Sequence, residues 1–114
     1  MRVLNRLAGR IPFWPFDPVP ADGPLLVEIY TAIPAREAEV EKGSKIRDGA
    51  ALDRALARLE TEPHHRLSRY DDHATDAILT AAWLRRAVTR PGLWQPRDLT
   101  PELARTEGWT FGVA

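Results

Sequence analysis

The 114-residue chain contains no cysteine, so a disulfide scaffold, a thiolate metal site and a cysteine nucleophile are all excluded. It also lacks an excess of charge. Its 16 Lys+Arg balance its 16 Asp+Glu, which removes the globally basic surface from which nucleic-acid binding is most simply argued. No apolar run approaches the ~20 residues that a membrane-spanning helix needs. The first ten residues, MRVLNRLAGR, carry Arg2, Arg6 and Arg10 and no apolar stretch of signal-peptide length. The expectation is a cytoplasmic chain with no membrane partner. Lysine is scarce too, confined to Lys42 and Lys45, and the arginines that replace it suit phosphate or carboxylate better. What is present, 44% hydrophobic and 28% charged residues, is the profile of one ordinary domain over 1–114.

Residues 2–9 alternate apolar and basic positions at helical spacing and predict a short helix. Residues 10–24 hold Pro12, Pro15, Pro18, Pro20 and Pro24. Each removes a donor and fixes φ, so a loop follows, with Phe13, Trp14 and Phe16 pressed onto the body of the domain. Residues 25–31, LLVEIYT, are a nearly continuous run of strand formers broken only by Glu28, the pattern of a strand buried on both faces. The charged stretch 36–47 predicts a short solvated helix and then a turn at Gly43-Ser44.

Asp48 can cap a helix over 49–60 whose Leu52, Ala55, Leu56 and Leu59 form one stripe. After a break at Pro63 and His64-His65, Asp71 or Asp72 caps a longer helix running to Thr89, stopped by Pro91-Gly92. In it Ala77, Ala81, Leu84 and Val88 share a face with Ile78, and Leu79 and Trp83 extend the buried surface. A short helix begins at Thr100, with Pro101 at its first position. The closing GWTFGV reads as a terminal strand or an aromatic flap.

Two features carry the chemistry when taken together: Glu28, a lone carboxylate in an apolar strand, and the acid-histidine cluster Asp71-Asp72-His73-Ala74-Thr75-Asp76 at a helix start. A spacing of three puts His73 and Asp76 on one helix face. If that turn lies at the carboxyl ends of the strands, Glu28, His73 and Asp76 converge as ligands for Mg2+ or Mn2+. Each residue also has a plainer reading: Glu28 as a solvated side chain, Asp71 or Asp72 as a helix cap, Asp76 as a complement to the helix dipole, and His73 as a histidine with a backbone partner.

The segments LLVEIY, HATDAILTAAWLR and TEGWTFGV resemble, in order, the C-terminal half of a bacterial family of predicted nucleases with a ribonuclease-H-like fold, the domain of unknown function 429 family. Glu28, His73, Asp76, Glu107, Gly108 and Trp109 match that family's motifs, and the strand glutamate with its His-x-x-Asp-Ala helix also looks like the metal ligands of bacterial Holliday-junction resolvases. The resemblance implies an α/β, partial ribonuclease-H-like domain: a central strand 25–31, packed by helices 49–60 and 73–89, with the first strands missing. It implies metal-dependent phosphodiester hydrolysis, with Glu28 and Asp76 as metal ligands and His73 on a second ion or on the attacking water. The family's first-strand aspartate has no counterpart, since Asp17 and Asp22 sit in the proline-rich loop. The chain is then a fragment or truncated product, or borrows strands from another chain, and is expected to be inactive alone. An unpaired edge beside 25–31 would invite a second copy or an N-terminal partner segment.

A nucleic-acid partner would find Arg85, Arg86 and Arg90 beside this site, although a solvated face accounts for the same charges. His64-His65 reads as a loop pair without a ligand role, and Pro12-x-x-Pro15 as packing rather than a polyproline ligand. The alternative to a nuclease is a non-catalytic remnant or protein-interaction module, in which the acids only cap and solvate.

Overall fold

The computed structural model describes residues 6–7 and 9–114; the helix expected over 2–9 falls mainly outside that set. The described residues form two compact units, one of Tyr30–Pro91 and one that joins the residues up to Ile29 to Gly92–Ala114.

The first unit is helical, built from α1 (Ala32–Glu37), α2 (Gly49–Arg58) and α3 (Asp72–Ala87). α1 begins directly after Thr31 and carries Pro34 in its first turn, where a missing N–H costs no helical bond. It ends at a left-handed Glu39, φ 58°. The short helix expected in the first part of 36–47 therefore lies nearer the N-terminus, while the turn expected at Gly43-Ser44 forms, with Gly43 at φ 82°. α2 forms where the sequence places it: the Asp48 carboxylate accepts from the Ala51 N–H at 2.8 Å, satisfying one orphan donor of the first turn. Leu52, Ala55, Leu56 and Leu59 are all buried, each leucine contributing about 1.5–3 kcal/mol.

α3 is capped in the same way, Asp71 accepting from the Ala74 N–H at 2.9 Å, and both α1 and α2 pack on it. Its inner face matches the expected one only in part, at Leu79 and Trp83. Thr75, Leu79, Ala82, Trp83 and Ala87 are buried, whereas Ala77, Ala81 and Val88 are exposed. Two apolar stripes compete on this helix, and the one holding the Trp83 ring and Leu79 removes more surface from water.

The second unit has little regular structure beyond α4 (Pro91–Trp94), whose first residue is the last of the helical unit, and α5 (Pro101–Thr106). In α5 the Thr100 hydroxyl accepts from the Leu103 N–H at 3.2 Å, as its sequence predicts. The unit is organised by aromatics. Trp14 meets Trp94 and Phe111 edge-on, both at 5.7 Å between centroids, and Trp14 and Phe111 are buried.

The expected central strand is not formed. Residues 25–31 make two isolated parallel bridges, Phe13 with Leu26 and Glu28 with Thr110, and the described residues are 41% helix and 4% strand with no sheet. The reason lies in the neighbours. Leu26 donates to the Pro12 carbonyl and accepts from the Trp14 N–H, but Pro12 and Pro15 have no N–H with which to extend a ladder. On the other side the Phe111 N–H donates to the Glu28 carbonyl at 2.8 Å, and Thr110 starts a turn. An α/β ribonuclease-H-like architecture with helices 49–60 and 73–89 laid on strand 25–31 is therefore not what the described residues adopt.

Candidate functional site

A groove of about 450 Å3 in the helical unit lies between α1, the 40–46 loop and the first half of α3. Ala35, Val40, Ile46 and Leu79, all partly or fully buried, give it an apolar floor, while Arg36, Glu41, Lys42, Lys45, Asp72 and Asp76 line it with both signs of charge. The 40–46 loop reaches this position because the chain leaves α1 through the left-handed Glu39 and the Gly43 turn, closed by the Ser44 N–H to the Glu41 carbonyl, folds it back.

The acids of the α3 start divide into distinct tasks. Asp71 caps the helix and also meets Arg69 at 3.3 Å. Asp72 is held by Arg47 at 2.7 Å and by Lys45 at 3.4 Å. The Arg47 guanidinium, ahead of Lys45, keeps its carboxyl below the usual aspartate value. Thr75 is buried and donates back to the Asp71 carbonyl at 3.0 Å. Asp76 lines the groove half-buried and has no ionic partner among the described residues.

His73 is exposed and does not line the groove, so the spacing of three does not bring it there with Asp76. Glu28 is exposed and belongs to the other unit, where its backbone makes the Phe111 bond. Mg2+ and Mn2+ call for several oxygen donors around one point. Among the described residues no group of three or more histidines and acids is placed to hold a metal ion. The residues present thus offer Asp72 and Asp76 as two carboxylates and leave a donor set incomplete.

Arg85, Arg86 and Arg90, expected beside the site, border a separate shallow depression with Glu60 and Thr89. Each has an internal partner. Arg85 donates to the Glu60 carbonyl at 2.9 Å and to the Thr61 hydroxyl at 3.2 Å, and Arg86 lies 3.7 Å from the Glu60 carboxylate. Arg90 makes a two-pronged pair with Glu37 at 2.6 and 2.9 Å. Arg90, more than the weaker contribution of Trp83, lowers the Glu37 carboxyl from its usual range, and Glu37 raises Arg90. The fork geometry that suits phosphate is spent on Glu37.

Sequence reasoning missed one further cluster. His64, its side chain 7% exposed, has Nδ1 2.6 Å from Asp53 and Nε2 2.8 Å from the Tyr70 hydroxyl. The His64 N–H donates to the same Asp53 oxygen, and the Leu67 N–H donates to the Tyr70 hydroxyl at 3.3 Å. The connectivity has the order acid, imidazole, hydroxyl found in nucleophilic triads. Here, however, the hydroxyl is packed so closely over the start of α2 that a Cβ on Gly49 would sit 2.8 Å from it. The cluster is a clasp that fixes the 59–71 connection. No signal of spacing could have found it, because its members lie on α2, in the loop and before α3. No family model, curated protein or solved structure matches the chain.

Proposed function

We propose that this chain is a small binding module, and that the groove between α1 and α3 takes a short segment of a partner protein: one apolar side chain on the floor, flanked by charges of both signs. The observation that carries this reading is the composition of the groove, an apolar floor inside a rim where Arg36, Lys42, Glu41 and Asp76 have no ionic partner among the described residues. Burying one leucine-sized anchor is worth about 1.5–3 kcal/mol, so the rim charges must supply register and discrimination. Peptides selected from a random display library on the whole chain should share an apolar anchor. They should lose binding to Ala35→Phe, which fills the floor, with the circular dichroism of the variant unchanged. Selected peptides that bind Ala35→Phe equally well would remove the groove from the account.

A second reading keeps the phosphodiester chemistry that the resemblance implies, because Asp72 and Asp76 line one groove a helical turn apart. In it another chain must complete the donor set for Mg2+ or Mn2+ before any nucleic acid is cut. A ligand that binds only the folded state raises the unfolding midpoint. Under the binding-module reading, millimolar Mn2+ leaves the midpoint of wild type and Asp76→Asn equal; a rise confined to wild type would favour the nuclease.

A further inference from the structure

A second surface, independent of the α1–α3 groove, lies wholly within the aromatic unit. It is a trough of about 400 Å3 running from the Pro15–Val19 stretch to Trp94–Pro96 and the start of α5. Its lining is mostly apolar. Pro15, Pro18, Pro96 and Pro101 line it together with Phe16 and Trp94, and Phe16 and Val19 remain 43% and 50% exposed, so large apolar side chains face water there. The walls are also fixed in place. Trp94 is braced by Trp14 and by Phe111, at 4.5 Å between centroids in the latter pair. Phe16 leans on Phe13 at 5.4 Å and on the backbone of Gly108, where a Cβ would come within 2.9 Å of its ring.

The polar side chains of the trough are few: Asp17, Gln95 and Thr100, whose hydroxyl is engaged in capping α5. Asp17 is the one ionisable side chain lining it. One of its oxygens accepts from the Phe13 N–H at 2.9 Å, which fixes the carboxylate and leaves the second oxygen for a cation. Gln95 adds an exposed side-chain amide with no partner among the described residues. A ligand that matches these groups has flat apolar faces, carbonyls to accept from an amide, little need to donate backbone N–H groups, and a positive charge at one side.

We propose that this trough binds a proline-rich, polyproline II segment carrying an arginine or lysine. Such a segment presents pyrrolidine faces and free carbonyls, is extended before it binds and so loses little entropy on ordering. Its cation meets Asp17. A second copy of the chain does not offer this chemistry, because residues 14–19 of its own proline-rich stretch line the same trough.

The test uses the whole chain and a fluorescein-labelled nonapeptide of repeated Pro-Pro-Leu with one terminal arginine, followed by anisotropy. Two controls replace the arginine by glutamate or every proline by alanine. The arginine peptide binds, and the glutamate peptide binds about tenfold more weakly, a step of about 1.4 kcal/mol. Asp17→Asn keeps an acceptor for the Phe13 N–H and removes the charge, so it erases the difference between the two peptides without changing the circular dichroism. Phe16→Ala weakens both. Equal binding of the alanine peptide, an arginine preference that survives in Asp17→Asn, or no binding at millimolar peptide would overturn the proposal. So would a concentration-dependent dimer that Phe16→Ala abolishes, since a second copy would then cover the trough.

Discussion

The clasp over the start of α2 makes a sharp prediction at Gly49. Replacing a helical glycine by alanine ordinarily stabilises by roughly 0.5–1 kcal/mol, since alanine gives up less backbone entropy. At Gly49 that gain should vanish or turn into a loss. The new Cβ would lie 2.8 Å from the Tyr70 hydroxyl and 3.4 Å from the ring carbon that bears it, so the hydroxyl must move away from His64 Nε2 and the Leu67 N–H. Losing one or two such bonds in a part-buried setting costs about 1–2 kcal/mol, so the net effect of Gly49→Ala lies between about zero and a loss of about 1.5 kcal/mol. Tyr70→Phe alone removes the same bonds and costs about 1–2 kcal/mol. Once the hydroxyl is absent, the closest remaining contacts are 3.4 Å to the ring and 3.5 Å to His64 Cε1, close to ordinary packing, and the alanine gain returns. The double variant should therefore be more stable than additivity predicts by about 1–2 kcal/mol. Urea unfolding of the four proteins, followed by far-ultraviolet circular dichroism with a common m-value, reads this directly. Additivity within about 0.5 kcal/mol, or a stabilising Gly49→Ala in the wild-type background, would refute the packing described for Tyr70.

Three further outcomes follow from the same structure. The hydrogen bonds from His64 depress the Asp53 carboxyl below its usual value, so the stability it adds is present above the ordinary aspartate pKa and is lost as pH falls through the folded value; Asp53→Asn should flatten the acid side of the stability profile. Glu37 and Arg90 form a partly exposed pair, so their coupling in a double-mutant cycle should be about 0.3–1 kcal/mol and shrink in 1 M salt, while Arg90→Lys loses the two-pronged geometry. On α3, Leu79→Ala should cost about 2–4 kcal/mol and Ala77→Ser less than about 0.5, because Leu79 is inside and Ala77 is exposed; equal costs in thermal unfolding would mean that the helix is turned the other way.

Signals that act within one turn were legible in the sequence: Asp48, Asp71 and Thr100 cap the helices they precede, and the stripe Leu52, Ala55, Leu56 and Leu59 faces inward. Segment 25–31 was not, because an apolar run becomes a strand only if its neighbours supply donors and acceptors in sequence, and prolines interrupt the supply. The inner face of α3 turned on which of two stripes is bulkier. The candidate site was legible only in part. Asp76 and Asp72 do line a groove, but Arg47 and Lys45, which hold Asp72, and Arg90, which holds Glu37, lie 25 or more positions away from their partners, where no local pattern reaches.

The groove between α1 and α3 is the centre of the functional account, and amide NMR of the whole chain tests it most directly. Titrating in a peptide selected on the wild-type chain should shift resonances confined to residues 31–46 and 72–79, with Mn2+ alone leaving the Asp76 amide unbroadened. Shifts that avoid those residues, or manganese broadening centred on Asp76, would contradict a docking role for the groove.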